Sequence, residues 1–240
     1  MNNPNGPYPG RQIFLGLTDK ERPCFAYLVT GRSPASRERK ATFAENGLIM
    51  GPIGNEPYDW LRHYTAVKTD KTNGIAAVTN GIQTEAIFEA YRLRFHTLGE
   101  PEPGLMTALM TGAQYEPDSL HTPRISGVIT FKNGENRPVF ILSIITDTPP
   151  ANTWVIEPKK ATLTGISTYT GNMEKPTPFD VTGTLPVIEN PFSTAKAIAE
   201  YVYEMSAATN QGDDIRVCGV GGVLANDNKT WDIQVLNRHK

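Results

Sequence analysis

The chain has 240 residues, a length at which layered folds are often single units, and we expect one domain over residues 1–240. Hydrophobic residues make up 39% and charged residues 20% of the sequence, so a sizeable core can form and no disordered charged tail is indicated. The net charge of −2 excludes a global attraction of nucleic acid, and no apolar run approaches the roughly 20 residues that span a bilayer. We therefore expect no nucleic-acid or membrane partner and, because the first residues lack an apolar signal segment, a cytoplasmic location.

The two cysteines, Cys24 and Cys218, are too few and too far apart in sequence for a disulfide framework or a C-x-x-C metal site. Free cysteine prefers protein interiors, which favours two reduced and buried thiols.

The first third of the chain consists of short runs of β-branched, aromatic and apolar residues separated by Gly, Pro or Asn, a pattern that predicts strands. The runs cover residues 12–18, 23–31, 40–51, 62–69 and 74–80. We expect them to form one antiparallel sheet.

Two helices are predicted next, over residues 83–97 and 105–113. Ile87, Tyr91 and Phe95 recur every four residues in the first, and the second follows the turn-forming sequence PEPG. They should pack side by side on one face of a sheet.

Strand patterns return over 123–132 and 138–146, joined by Asn133-Gly134, which is a strong hairpin signal. A second sheet is expected to begin there. Further strands are predicted over residues 153–157, 161–170, 215–224 and 230–236, the last two joined by the turn NDNK.

Two features interrupt this second set of strands. The proline-rich stretch 175–191 is interpreted as a surface excursion. Ser193 is the predicted N-cap of a helix over 194–209, whose apolar stripe should lie on a sheet. The order of elements is typical of an α+β fold in which two mainly antiparallel sheets lie face to face with helices outside.

One segment, GRSPASRER at residues 31–39, concentrates positive charge in a slightly acidic protein. Arg32 and Arg37 lie five residues apart around a proline-containing turn, and arginine offers a planar fork of donors suited to phosphate or to a developing oxyanion. By spacing alone, a solvated basic turn is the more favoured interpretation.

Four segments, in this order and spacing, resemble the archaeal IMP cyclohydrolase family: GRSPASRER (31–39), LRHYTAV (61–67), VTNGIQTEAI (78–87) and YEPDSLHTPRISGVI (115–129). Weaker similarity continues through ISTYTG (166–171) and the closing GGVLANDNKTWDIQVLNR. The resemblance implies a four-layered αββα sandwich similar to N-terminal nucleophile hydrolases. It also implies the family's reaction, in which a purine ribonucleotide precursor, 5-formamidoimidazole-4-carboxamide ribotide, closes to inosine monophosphate and water. The resemblance implies no metal and no nucleotide cofactor. It does imply that the protein forms a homo-oligomer.

The resemblance assigns catalysis to Arg37, Tyr64 and Glu116. The phenol of Tyr64 could donate to the formyl oxygen and assist the loss of water, and the carboxylate of Glu116 could accept from the carboxamide or act in proton transfer. Which arginine binds phosphate and which faces the formyl oxygen is left open. Without the family, Tyr64 is more simply a core residue of a strand. The neighbouring His63 should point to the opposite face from Tyr64, and we leave it out of the site.

Substrate binding is the second role that the resemblance implies. It covers Arg32, Ser33, Asn80, Gly81, Thr122 and Arg124. Asn80-Gly81 is equally explained as a structural turn before a helix, and Asp118 is an alternative acceptor that could instead cap or brace its loop.

Two other functions stay open. An amide hydrolase of the N-terminal nucleophile class needs a Cys, Ser or Thr exposed by processing, whereas this chain begins Met-Asn-Asn; cleavage before Cys24, Thr30 or Ser33 would discard at least a strand. The other is a noncatalytic purine-nucleotide-binding relative, or a cyclohydrolase-like enzyme acting on a related substrate. The proline-rich stretch 175–191 and the longer C-terminal region depart from the archaeal pattern and keep that alternative in place.

Overall fold

The computed structural model describes residues 6, 8–45, 47–97, 102–132 and 137–239. In chain order the elements are β1 Arg11–Leu17, β2 Pro23–Thr30, α1 Pro34–Arg37, β3 Arg39–Ala44, β4 Gly47–Pro52, β5 Tyr64–Thr69, β6 Ala76–Thr79, α2 Thr84–Thr97, α3 Pro103–Ala113, β7 Arg124–Phe131, β8 Pro138–Ile145, β9 Asn152–Ile156, β10 Thr162–Ser167, β11 Tyr169–Thr170, β12 Thr177–Pro178, β13 Val187–Glu189, α4 Ala195–Met205, β14 Thr209–Asn210, β15 Asp213–Asp214, β16 Arg216–Leu224 and β17 Trp231–Asn237. The predicted Asn133-Gly134 turn and the side chain of Phe95 lie outside the described residues. Within the described ranges, none of the helices has the length and apolarity needed to cross a membrane.

Two large antiparallel sheets form the centre of the molecule. One has seven strands in the order β3-β4-β5-β6-β7-β8-β9, and the other has six in the order β13-β10-β1-β2-β16-β17. The larger sheet is a meander that follows the chain, whereas the smaller one joins the N-terminal hairpin to strands from the C-terminal third. This arrangement corrects two predictions: the strands of residues 12–80 do not form one sheet, since β1 and β2 belong to the six-stranded sheet, and the second sheet does not begin at residue 123.

The physical reason lies in the excursion made by α2 and α3. The chain leaves β6, crosses the outer face of the sheet as two helices, and returns beside the strand it left, with Ala76 paired to Ile129 and Thr79 to Ser126. β7, β8 and β9 therefore extend the first sheet. Local sequence patterns do not determine which sheet a returning strand joins, because that depends on contacts between residues far apart in the sequence.

The four layers are visible in the side-chain packing. Ile13 and Leu15 of β1 lie in the core between the two sheets, while the intervening Phe14 packs on the opposite side with α4. α2 and α3 bury Phe88, Met106 and their neighbours against the outer face of the larger sheet. The predicted αββα sandwich is thereby confirmed, and its likeness to N-terminal nucleophile hydrolases stays a prediction.

Several element boundaries differ from those predicted. The strand expected over 40–51 is a hairpin of β3 and β4, in which Ala44 pairs with Gly47, and the run over 161–170 divides into β10 and β11. The stretch 175–191 is less of an excursion than expected: β13 adds to the edge of the six-stranded sheet, and Phe179 and Asn190 are buried. Both cysteines are free and buried, as predicted.

The C-terminal helix begins and ends within the predicted range. Its N-cap is Thr194, whose hydroxyl accepts from the backbone N–H of Ala197, and Ser193 precedes the cap. The helix ends at Met205 because residues 209–214 form a separate hairpin, whose turn residues Gln211 and Gly212 have φ of 52° and 86°. Two consecutive residues with positive φ are typical of a tight type I′ turn.

Replacing the cap tests this boundary. Thr194→Ala removes the hydroxyl that satisfies a helix N-terminal N–H, and we expect the free energy of unfolding to fall by about 1 kcal/mol. Ser193→Ala is the matched control and should change it by less than about 0.5 kcal/mol. Urea denaturation measures both, and a larger loss for Ser193→Ala would contradict the assignment.

Candidate active site

A polar cavity of about 300 Å³ opens at one end of the sandwich. β1, β3, β5 and β7 begin at this end, and β2, β6 and β10 finish there, because neighbouring strands run antiparallel. Strand termini from both sheets thus meet around one space. The charged residues that line it are Arg11, Arg32, Arg39, Asp59, Arg62, Glu116 and Asp118.

An ion pair between Arg11 and Glu116 joins the two sheets in this cavity. Arg11 begins β1 and shares a strand face with Ile13 and Leu15, so its side chain points between the sheets. Its Nη2 donates to Oε1 of Glu116, in the loop between α3 and β7. Both residues are buried, with relative exposures of 8% and 2%.

Further donors surround the same carboxylate oxygen. Nδ2 of Asn80 lies 3.4 Å from Oε1 of Glu116, and Nη1 of Arg124 lies 3.9 Å from it. Burial raises the pKa of Glu116, although Arg11 and Arg124 offset part of that rise. Burial in turn lowers the pKa of Arg11, but Glu116 and two nearby tyrosines bring it well above its ordinary value. The cavity therefore holds an ionised arginine beside a carboxylate with raised proton affinity.

The two tyrosines are Tyr27 and Tyr64, whose hydroxyls are 2.7 Å apart in the core next to Arg11. Tyr27 lies on the inward face of β2. Its pKa is raised, mainly by burial and to a smaller extent by the neighbouring Tyr64. Tyr64 begins β5, and neither it nor His63 is among the residues that line the cavity. His63 precedes the strand, and its Nδ1 accepts from the backbone N–H of Asp59.

Asn80 and Gly81 follow β6 and lie beside the ion pair, and Asn80 also forms hydrogen bonds to the start of β7. Asn80 accepts from the backbone N–H of Ile125 at 2.8 Å and donates to the carbonyl of Pro123 at 2.9 Å. A Cβ at Gly81 would lie 2.1 Å from Nη1 of Arg124, so glycine is required for that guanidinium to occupy its place. Asn80 reaches the carboxylate directly, whereas Gly81 makes room for Arg124.

Thr122 and Asp118 brace the loop that carries Glu116. The carbonyl of Thr122 accepts from the backbone N–H of Glu116 at 2.8 Å, and its hydroxyl bonds to both Asp118 and Tyr169. Asp118 also accepts from the N–H of Thr122 at 2.9 Å. Asp118 is thus a loop acceptor, one of the two interpretations left open by the sequence.

Of the three arginines in the basic segment 31–39, two reach the cavity and one does not. Arg32, Ser33 and Arg39 line it, and Ser33 caps the short helix α1 in a reciprocal pair with Ser36. Arg37 does not line the cavity.

The guanidinium of Arg37 donates to Asp213 at 2.7 Å and to the carbonyls of Gly31 and Arg32 at 3.3 and 3.0 Å. The structure therefore places Arg37 against the 209–214 hairpin, away from the Arg11–Glu116 pair. Asp213 is largely exposed, with 60% of its side chain accessible, whereas the side chain of Arg37 is 5% accessible, so the pair joins a buried guanidinium to a solvated carboxylate.

No site role was assigned from the sequence to Arg11, Tyr27, Arg39 or Tyr169. A usable signal existed for Arg11, because an arginine two residues before Ile13 lies on the face of a strand that is otherwise apolar. Arg39 has the same relation to the buried Ala41. Neither pattern reveals which distant residues meet these side chains.

Comparisons with known proteins identify the family of the chain. The model of the family described as IMP cyclohydrolase-like protein matches residues 8–227, which include every residue of the site described above. An IMP cyclohydrolase of Methanococcus maripaludis strain S2 is 32% identical over 124 residues, and one of strain C7 is 29% identical over 123 residues. Each alignment covers 51% of this chain and 58% of the relative, so the chain spans somewhat more than half the length of the curated relatives it matches. The chain belongs to the family of IMP cyclohydrolase-like proteins.

Proposed function

We propose that the chain is an IMP cyclohydrolase, which closes 5-formamidoimidazole-4-carboxamide ribotide to inosine monophosphate and water. The observation that carries the proposal is the buried Arg11–Glu116 pair at a polar cavity, within segments covered by the family match. Because the curated relatives align over only part of their length, the activity is a proposal for this chain.

The reaction is an intramolecular condensation. The carboxamide nitrogen attacks the formyl carbon and forms the new C–N bond, which leaves a tetrahedral carbon with negative charge on the former formyl oxygen. That oxygen is protonated and leaves as water, while the attacking carboxamide nitrogen gives up one of its two protons and the formamido nitrogen gives up its own as the new C=N bond forms. An enzyme must hold the two arms in the reactive orientation, stabilise and protonate the oxygen, and accept a proton from the attacking nitrogen.

Glu116 is proposed to accept a proton from the carboxamide nitrogen, a role that suits a carboxylate of raised pKa. Arg11 and Asn80, which already donate to Glu116, hold it in place, and Arg124 adds positive charge. Tyr64 is proposed to supply the proton that the leaving oxygen requires, with Tyr27 as its hydrogen-bonded neighbour.

The phosphate of the substrate is proposed to bind at Arg32, Ser33 and Arg39. Within the described residues, the guanidinium of Arg39 donates to the carbonyl of Arg62 at 3.4 Å, and its buried Nε has no hydrogen-bond partner. Arg32 donates to the carbonyl of Met173 at 3.1 Å. Both guanidinium groups thus keep donor capacity and are without a carboxylate partner in the described part of the chain, as an anion site requires. Thr122, which lines the cavity, and Gly81, which leaves room for Arg124, are proposed to shape the site around the imidazole ring of the substrate.

Arg37 is proposed to remain catalytic by exchanging its contact with Asp213 for the substrate oxygen. Asp213 is mostly exposed and is rehydrated when released, whereas Arg37 is buried, so the substrate oxygen has to replace the carboxylate as its partner. No metal or nucleotide cofactor is invoked for this condensation. A cytoplasmic location and a homo-oligomeric assembly stay predictions. The alternatives are a noncatalytic purine-nucleotide-binding relative and a cyclohydrolase-like enzyme acting on a related substrate.

The purified chain should form inosine monophosphate from the formamido ribotide in the presence of a chelator, above the uncatalysed rate. Glu116→Gln should lower kcat/KM by about 100-fold or more, since it removes the proposed proton acceptor. Glu85→Gln is the matched control, because Glu85 is an exposed partner of Lys68, and it should leave the rate unchanged. Inosine monophosphate binding without turnover would favour the noncatalytic relative.

A second comparison tests Arg37. Arg37→Ala should lower kcat by about 100-fold, because a donor to the developing oxyanion is lost. It should lower the free energy of unfolding by only about 1 to 3 kcal/mol, the loss expected for the hydrogen bonds of one buried guanidinium. Asp213→Ala, which removes only the surface partner, should leave kcat within about twofold. If both variants lose kcat equally, Arg37 acts by holding the 209–214 hairpin, and its catalytic role is wrong.

A further inference from the structure

We infer that His63 is a positioning residue, whose neutral imidazole holds residues 59–62 in place as one wall of the cavity. The kinetic part of its test rests on the proposed function, and the structural part does not. His63 lies outside the cavity lining and is not among the residues to which the family resemblance gave a role. Its side chain is almost fully buried, with a relative exposure of 1%.

His63 and Asp59 form a reciprocal pair of hydrogen bonds. The backbone N–H of Asp59 donates to Nδ1 of His63 at 2.9 Å, and the backbone N–H of His63 donates to the carbonyl of Asp59 at 2.7 Å. The ring also packs against Tyr58, with the ring centroids 5.6 Å apart. One imidazole thus closes the turn that runs from Asp59 to the start of β5.

The turn held in this way contributes directly to the cavity. Asp59, Leu61 and Arg62 all line it. Nε of Arg62 donates to Oδ2 of Asp59 at 2.7 Å, and the carbonyl of Arg62 accepts from the proposed phosphate ligand Arg39. Displacement of this wall would therefore change the position of groups that bind substrate without removing any group that reacts.

The hydrogen-bond pattern fixes the protonation state that the wall requires. Nδ1 can accept from Asp59 only when it carries no proton, so the proton of the neutral ring is on Nε2. Nε2 is buried and has no partner among the described residues. If Nδ1 were protonated, its N–H would face the backbone N–H of Asp59, and the hydrogen bond that closes the turn would be lost.

The charged groups around the imidazole have opposing effects on the pKa of His63. Burial, Arg62 and Arg39 favour the neutral form, while Asp59 and Glu56 favour the protonated form. The net effect lowers the pKa of His63, so the ring is neutral at pH 7 and the wall is formed. As the pH falls through that lowered pKa, Nδ1 gains its proton and the wall is lost. Substrate binding should weaken on the acid side accordingly.

Three variants of the full chain separate this role from simple packing. His63→Asn places an amide oxygen close to where Nδ1 lies and cannot titrate, whereas His63→Leu fills the space without an acceptor. His239→Asn is the control, since His239 follows β17 and lies outside the cavity lining. Kinetics with the formamido ribotide between about pH 5 and 8 give KM and kcat for each.

We expect wild-type KM to rise as the pH falls, with a smaller change in kcat. His63→Leu should raise KM about tenfold at pH 7 with kcat within about threefold, the effect of losing one positioning hydrogen bond. His63→Asn should keep KM within about twofold of wild type and remove its rise at low pH. The inference is overturned if His63→Leu has the wild-type KM, or if His63→Asn fails to rescue it.

Nuclear magnetic resonance provides a test that needs no turnover. At pH 7 the imidazole nitrogens should show Nδ1 unprotonated and Nε2 protonated, and the amide signals of Asp59, Leu61 and Arg62 should titrate together with His63. In His63→Asn these amide titrations should be absent. A proton on Nδ1 at pH 7 overturns the inference even if the chain is inactive, whereas inactivity with the expected tautomer and titrations overturns only the proposed function.

Discussion

The buried ion pair between Arg11 and Glu116 is the interaction on which this end of the molecule depends. Its two partners come from different layers, one from β1 of the six-stranded sheet and the other from the loop that leads into β7 of the seven-stranded sheet. A buried carboxylate without a partner is costly, so each group requires the other in place. The ion pair thereby couples the closing of the sandwich to the formation of the cavity.

The contacts around the ion pair also hold parts of the chain that are distant in sequence in place at this end of the sandwich. Thr122 and Asp118 fix the loop of Glu116, Asn80 ties the end of β6 to the start of β7, and Gly81 leaves room for Arg124. α2, α3 and α4 cover the outer sheet faces and leave the strand ends open. The open end, where backbone and side-chain polar groups gather, is where a polar substrate can be bound.

The elements could be predicted from sequence because alternation along β1 or the spacing of Ile87 and Tyr91 is a local property. Which sheet β7 joins could not, since it depends on where two helices return the chain. Arg11 was missed for a similar reason: the apolar face it shares with Ile13 is readable, but its partner lies 105 residues away. The choice between Arg37 and Arg39 was also beyond the sequence, because the short helix α1 turns one arginine away from the cavity that the other lines.

A double-mutant cycle on the ion pair tests the central claim, that Arg11 and Glu116 act as one catalytic unit. kcat/KM would be measured for Arg11→Met, Glu116→Gln and the double variant. If the groups work together, the double variant should be no slower than the slower single variant, because each substitution already disables the unit. Losses that multiply in the double variant, or full activity in either single variant, would contradict the account.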